Sequence, residues 1–318
     1  MKWHHKPSSL IIMLLALTAC SGGPEKKPLP VSLSSPALLL DQGIIRYDND
    51  NYPGAIHTFK KALAQYRSID DQAGIAKSCL NITKSLMANN HNEAASQYLI
   101  KARSVIEQAS LDELDDHLKL VESTLAIKNQ LYQQAIQDLE NPLASKSIGI
   151  RLAALKNRTL IAFSQGKDKQ RWLDRYRALQ NKNQENTTSH LARILRFEAE
   201  LDEDNNKKIE RLSRSLNISR NLANRTAIAA NLTQWADLDY QKKRFEEAGD
   251  KLLRALFIRQ QLGDIKNSLM ILKKLNLVYA ATDADKQERA EHWIRELSQD
   301  RPIDWEQLFS VFETYPKS

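Results

Sequence analysis

The feature that most constrains this chain is a spacing of small and large apolar residues that returns about every forty positions. In the segment from Phe245 to Leu256, Ala248 follows Phe245 by three, Leu252 comes four later, and Ala255 and Leu256 come three and four beyond that. Tyr52, Ala55, Phe59 and Ala62 fill the same slots near the start. Steps of three and four place such residues on one face of a helix. The small members let a neighbouring helix press close, and the large ones fill the space between. Taking the residue that closes each such helix gives Ala62, Ala102, Pro142, Ala178, Ser215, Ala255 and Leu297, separated by 40, 40, 36, 37, 40 and 42. Seven residues earlier stand Ala55, Ala95, Ala135, Arg171, Lys208, Ala248 and Ala290. Five of these seven are alanine although the register was set elsewhere. Arg171 and Lys208 mark the fourth and fifth units as departures.

Nothing in the chain reads as strand: there are no alternating β-branched runs and no Asn-Gly or Asp-Gly hairpin turns. Ser35 followed by Pro36 is a helix start. No proline lies between Pro142 and Pro302. One unbroken helix of that length is excluded by ordinary helix lengths, so paired helices joined by short polar turns are expected. Breaks between pairs are expected near 67, 109, 144, 182, 221 and 262. After Pro302 a further helix is expected from Asp304 to Thr314, with Trp305, Leu308, Phe309 and Phe312 on one face to cover the last pair.

These slots resemble the second helix of a tetratricopeptide (TPR) repeat, and Gly43 sits where that family keeps a glycine on the first helix. Arg46 stands where the family prefers a tyrosine, with Tyr47 beside it. The unit is longer than the usual 34 or so residues and is similar to the extended TPRs of signalling scaffolds. The resemblance implies an all-α, right-handed α-solenoid of about seven TPR-like helix pairs over 36–300, closed by a capping helix and tail at 301–318.

At the N-terminus, Lys2 and Lys6 precede an apolar run from Leu10 to Leu17 that is too short to cross a bilayer. The sequence Leu17-Thr18-Ala19-Cys20 resembles a bacterial lipoprotein box. That resemblance implies a signal peptide over 1–19, removal before Cys20, and acylation of Cys20 as a membrane anchor. Ser21 after the cysteine implies the periplasmic face of the outer membrane. Residues 20–35, with Gly22, Gly23, Pro24, Pro28 and Pro30, cannot form a core and read as a tether. Cys79 is then alone, so no intramolecular disulfide is expected; its apolar surroundings mark it as a small core residue. Without Lys2 and Lys6 the chain keeps 44 basic side chains against 39 acidic ones. That excess is too mild to point to nucleic acid.

No catalytic signature is present: no His-Glu-x-x-His, no Gly-x-Ser-x-Gly, no phosphate-cradling glycine loop and no cysteine pair. No catalytic residue, metal ligand or cofactor is expected. His117 and His190 are expected at the surface. In peptide-binding TPRs the first helices line a concave groove with asparagines and bases, which hold peptide backbone and carboxylates. Counting 21 back from each closing residue gives Asp41, Asn81, Val121, Asn157, Ile194, Gln234 and Asn276. By that resemblance Lys77, Asn81, Lys84, Asn157, Gln234 and Asn276 would form a peptide groove. The expected role is a non-enzymatic adaptor that holds a segment of another envelope protein, in pilus, outer-membrane-protein or peptidoglycan machinery. Residues 146–182 hold ten bases and two acids. The alternative is therefore direct binding of peptidoglycan or another anionic glycan through Arg171, Arg175 and Arg177. Trp172 and Tyr176, beside them, are expected in the core. The sequence leaves the oligomeric state open.

Overall fold

The computed structural model describes residues 35–183, 188–299, 301 and 303–311. The expectations for the signal, Cys20, the tether up to 34, Pro302 and Phe312 lie outside the described residues. Among the described residues all regular structure is helical. Helical hairpins follow one another: α1 (Pro36–Asp48) with α2 (Tyr52–Ser68), and α3 (Gln72–Ala88) with α4 (Asn92–Gln108). Next comes α5 (Asp115–Lys128) with a second arm split into α6 (Tyr132–Asp138) and α7 (Glu140–Ala144). Then follow α8 (Ile148–Gln165) with α9 (Lys169–Lys182), and α10 (Thr188–Leu201) with α11 (Asn205–Asn221). The last are α12 (Arg225–Gln241) with α13 (Phe245–Gln261), and α14 (Ile265–Ala280) with α15 (Ala284–Ser298), before the short α16 (Trp305–Val311). Every break between hairpins falls within one residue of the expected position. Each helix packs on its neighbours in sequence, and α1, α3, α5 and α8 also touch in succession, so the architecture is all-α and solenoid-like.

The forty-residue period comes from the turns. Residues 50, 70, 90, 110 and 130, and again 223, 243 and 263, all take positive φ, between 49° and 65°. Each sits in the middle of a three-residue connection. The amide after it reaches five residues back, as in Asn51 N to Arg46 O at 2.9 Å and Arg244 N to Asp239 O at 2.9 Å. The left-handed residue's own amide reaches three back, as in Lys243 N to Tyr240 O at 2.9 Å. This is the Schellman closure, which satisfies the last carbonyls of a helix. Helices α2, α3, α4, α11, α12 and α13 each have 17 residues. A turn of three added to 17 makes twenty, and two such units make the repeat. Asn51, Asp71, Asn224 and Asp264 then cap the next helix through their side chains.

Only Gly263 of those eight turn positions is glycine. Lys243 is exposed with φ 58°, a conformation that costs an L side chain roughly 1 kcal/mol or more. Lys243→Gly is therefore expected to raise the melting temperature by about 2 °C in thermal unfolding.

The alanine slots behave as the spacing demands. Ala55, Ala62, Ala95, Ala102, Ala135, Ala248, Ala255 and Ala290 are all 0% exposed. In the fourth hairpin the register moves by one. Arg171 and Ala178 are exposed, while Trp172, Leu173, Tyr176 and Gln180 are buried. The cause is upstream: α8 ends at Gly166 with φ 71°, Asp168 is also left-handed at φ 55°, and α9 starts at Lys169. Trp172 thus takes the place Ala55 has in α2. In α16, Leu308 and Phe309 are buried against Trp293 and Leu297, and Phe309 packs edge-on to Phe257 at 5.6 Å. Trp305 stacks on Phe309, so three of the four aromatic and apolar residues expected on that face are seen to do so.

The hairpins curl far enough to bring the first two onto the sixth and seventh. Thr226, at the start of α12, gives its amide and hydroxyl to the Asp50 carboxylate at 3.3 and 3.0 Å. Tyr52 donates to the same carboxylate at 2.6 Å. Arg225 donates to the Asn49 carbonyl at 3.2 Å, and Asn90 Nδ2 to Asp264 Oδ1 at 2.9 Å. Lys128 Nζ lies 3.4 Å from Asn90 Oδ1. This polar seam joins residues about 175 apart in sequence, and it encloses the inner face of the curl.

Candidate functional site

The inner face carries two adjoining cavities. The larger, about 570 Å³, is walled by α1, α3, α5 and α8. Its apolar lining includes Leu40, Ile44, Leu80, Met87, Leu120 and Val121. Of the expected groove residues, Lys77, Asn81, Lys84 and Asn157 meet here, while Gln234 and Asn276 stand outside its lining.

Their states differ. Asn157 is 2% exposed and donates to Ser123 Oγ at 3.3 Å and Thr124 Oγ1 at 2.9 Å, pinning α8 to α5. Asn81 accepts from Lys84 Nζ at 3.3 Å, and that ammonium also lies 5.7 Å from the Tyr47 ring centre. Burial lowers the Lys84 pKa from its ordinary value, with Asp48 opposing. Gln234 donates to the Arg196 carbonyl at 2.9 Å, tying α12 to α10. Asn276 Oδ1 is buried without a hydrogen-bond partner. The other two ladder positions of apolar type, Val121 and Ile194, are core residues.

The smaller cavity, about 270 Å³, shares Tyr47 and Lys156 with the larger. Lys156 on α8 and Arg193 and Arg196 on α10 line it. Burial pushes Lys156 down to about 8, helped by Arg193 and Lys84. Arg196 falls to about 9, by burial first and then by Arg193 and Arg259. Tyr47 is pushed up to about 12, by burial and then by Asp48 and Asp50.

His190, expected at the surface, lines this cavity instead and bonds through Nδ1 to the Tyr176 hydroxyl. The other expected surface histidine, His117, is exposed but belongs to the larger cavity's wall. Burial, with Lys156 and Arg193 nearby, lowers the His190 pKa to about 4. Between pH 6.5 and about 4 the unfolded chain takes up a proton there that the fold excludes. Stability at this site is thus whole above pH 6.5 and falls as the solution is acidified. In urea unfolding at about pH 7 and about pH 4.5, His190→Gln is expected to lose about 1–3 kcal/mol less than the parent on acidification.

The expected basic patch lies on α9. Arg171 and Arg175 are exposed and set their guanidinium carbons 5.7 and 4.5 Å from the Trp172 ring centre, with Arg158 at 4.4 Å. Arg177 is ion-paired to Glu198 on α10. Trp172 and Tyr176 are 8% and 0% exposed. Cys79 is fully buried, and burial raises its thiol pKa.

Lys156, Arg193 and Arg196 were not singled out from sequence, yet Lys156 and Arg193 each lie one residue before a ladder position, Asn157 and Ile194. The ladder was counted back from closing residues that fail in the fourth hairpin, where Ala178 is exposed. Keyed to Trp172 the count moves from Asn157 to Arg158, away from Lys156, so the ladder carries no signal for Lys156 or Arg193. No described helix is long and apolar enough to cross a membrane. No protein-family model matches the chain, and no curated protein is significantly similar to it.

Proposed function

We propose that this chain is a TPR-type adaptor lipoprotein: a right-handed solenoid, anchored through acylated Cys20 to the periplasmic face of the outer membrane, that holds a segment of another envelope protein in its concave face. The observation that carries this reading is the larger cavity. Residues from four successive first helices converge on it, with an apolar wall for side chains and Lys77, Asn81 and Lys84 at hand for backbone carbonyls and carboxylates. The buried alanine slots and the forty-residue unit support the TPR assignment. The chemistry is binding rather than catalysis.

A photo-cross-linking residue placed at Ile44, in the cavity wall, and separately at Ile100, 62% exposed on a second helix, tests the reading in whole envelopes. Cross-linking to a defined protein from position 44 and not from 100 is expected, with loss when Lys77 and Lys84 are both changed to Glu. Equal yields from the two positions, or no effect of the charge reversals, contradict it. A second reading, an anionic glycan on the outer surface, is favoured by Arg171 and Arg175, which are exposed and have no carboxylate partner among the described residues. Cosedimentation with purified cell wall that survives Arg171→Ala with Arg175→Ala removes it.

A further inference from the structure

The smaller cavity is unlike the larger in one respect. Three cationic side chains face it, and among the described residues none is neutralised. Lys156, Arg193 and Arg196 form no ion pair among the described residues, although thirteen such pairs occur elsewhere among them. Arg196 Nε is buried with no hydrogen-bond partner, and Asn231 Oδ1, on the same wall, is buried and unpartnered too. The acids that face the group are few. Glu200, one turn along α10 from Arg196, opposes only that residue's shift, and Asp48 acts on Lys84. A buried cation without a partner costs several kcal/mol. Lys156, Arg193 and Arg196, each half-buried and without an ion pair, converge on one void of about 270 Å³, which describes a site whose counter-charge is supplied from outside.

We propose that this cavity is a phosphate site, holding a phosphate group between the guanidinium groups of Arg193 and Arg196 and the ammonium of Lys156. A phosphate dianion has enough oxygens for two forked guanidiniums and an ammonium at once. A single carboxylate, with one charge and two oxygens, leaves cations uncompensated. Tyr47 borders both cavities, and a tyrosine hydroxyl can donate to such an anion. The inference goes beyond the adaptor reading: the partner segment belongs to the larger cavity and the phosphate to the smaller. Because Lys156 and Tyr47 line both, the phosphate sets the charge that the larger cavity presents at its inner end.

The phosphate can come free in solution, as a soluble monoester, or as a lipid headgroup. Calorimetric titration of the full chain with inorganic phosphate, with glycerol phosphate and with a short-chain phosphatidic acid distinguishes these sources, with succinate as the carboxylate control. Saturable binding at one site per chain is expected for at least one phosphate, and roughly tenfold or greater weakening in Arg193→Ala and in Arg196→Gln. Occupancy also raises the His190 pKa from its low value, read from the imidazole proton shifts by NMR. A variant that fails to fold does not shelter the idea. Arg196→Met removes an uncompensated buried charge and is expected to melt no lower than the parent without phosphate, while losing the rise that phosphate gives the parent. Absence of saturable binding for all three phosphates, succinate binding as tightly, or binding unchanged in both arginine variants overturns the proposal. Tight binding of phosphatidic acid alone supports it and assigns the source to lipid.

Discussion

Gly74→Ala is expected to destabilise the fold by about 2–3 kcal/mol, against the ordinary preference of helices for alanine. Gly74 lies in the first turn of α3, and a Cβ there would overlap the ring of Tyr66 on α2. Tyr66 is 7% exposed and packed in the core between the first two hairpins, so its ring cannot swing into solvent. Gly43 meets the Phe59 ring in the same way, inside the first hairpin. In a free helix the substitution would stabilise by about 1 kcal/mol, so overpacking must reverse the sign. Gly249 in α13 supplies the control. A Cβ there would stand 3.7 Å from Val278 Cγ1, an ordinary contact, and Gly249→Ala is expected to stabilise by up to about 1 kcal/mol. Urea unfolding of the three proteins decides the matter. Equal or greater stability for Gly74→Ala would contradict the close approach of α3 to α2.

Asp264→Ala is expected to cost about 3–5 kcal/mol in the same measurement, because it strips the counter-charge from a buried arginine. Arg259 is 8% exposed and gives one guanidinium nitrogen to Asp264 Oδ2 at 3.0 Å and another to the Thr226 carbonyl at 3.3 Å. The same carboxylate caps α14 through the Asn267 amide at 3.3 Å and accepts from Asn267 Nδ2 at 2.7 Å and Asn90 Nδ2 at 2.9 Å. Asn90→Ala removes the bond across the seam together with the Lys128 contact, at a position of positive φ, and is expected to cost about 1–2 kcal/mol. Adding Arg259→Met to Asp264→Ala is expected to recover part of the loss, since the stranded charge goes with it. No recovery would mean that the cap and the seam, rather than the arginine, carry the energy.

The periodic part of this fold was legible because its cause is local. Alanine at 55, 95, 135, 248 and 290 is needed wherever two helix axes come close, and the polar turns divide the pairs where the apolar face runs out. The turn residues themselves were not legible. Asp50, Asp70, Asn90, Ser110, Gln130, Ala223 and Lys243 look like any solvated helix position, yet each carries a left-handed backbone that ends a helix. The one-residue shift in the fourth hairpin was hidden for the same reason, since it begins at Gly166 and Asp168 rather than in the apolar pattern. The groove was partly visible. Lys77, Asn81 and Lys84 share a face three and four residues apart, and that face does line a cavity. That Asn157 and Gln234 are held by other helices depends on how neighbouring pairs pack. The gathering of Lys156, Arg193 and Arg196, and the seam from Asp50 and Asn90 to Thr226 and Asp264, depend on curvature summed over several hairpins. No single stretch of sequence contains that sum.

The curl brings the second hairpin onto the seventh, where Asn90 meets Asp264. Lys128 lies there near Asp264 and Lys266, whose charges act on the Lys128 ammonium in opposite directions. Treating the full chain with a short amine-reactive cross-linker and sequencing the linked peptides tests this most directly. A Lys128–Lys266 link is expected in the parent, weakened in Asp264→Ala. Links confined to lysines of neighbouring hairpins, with none between 128 and 266, would show an open arc and remove the enclosed inner face from which the function is inferred.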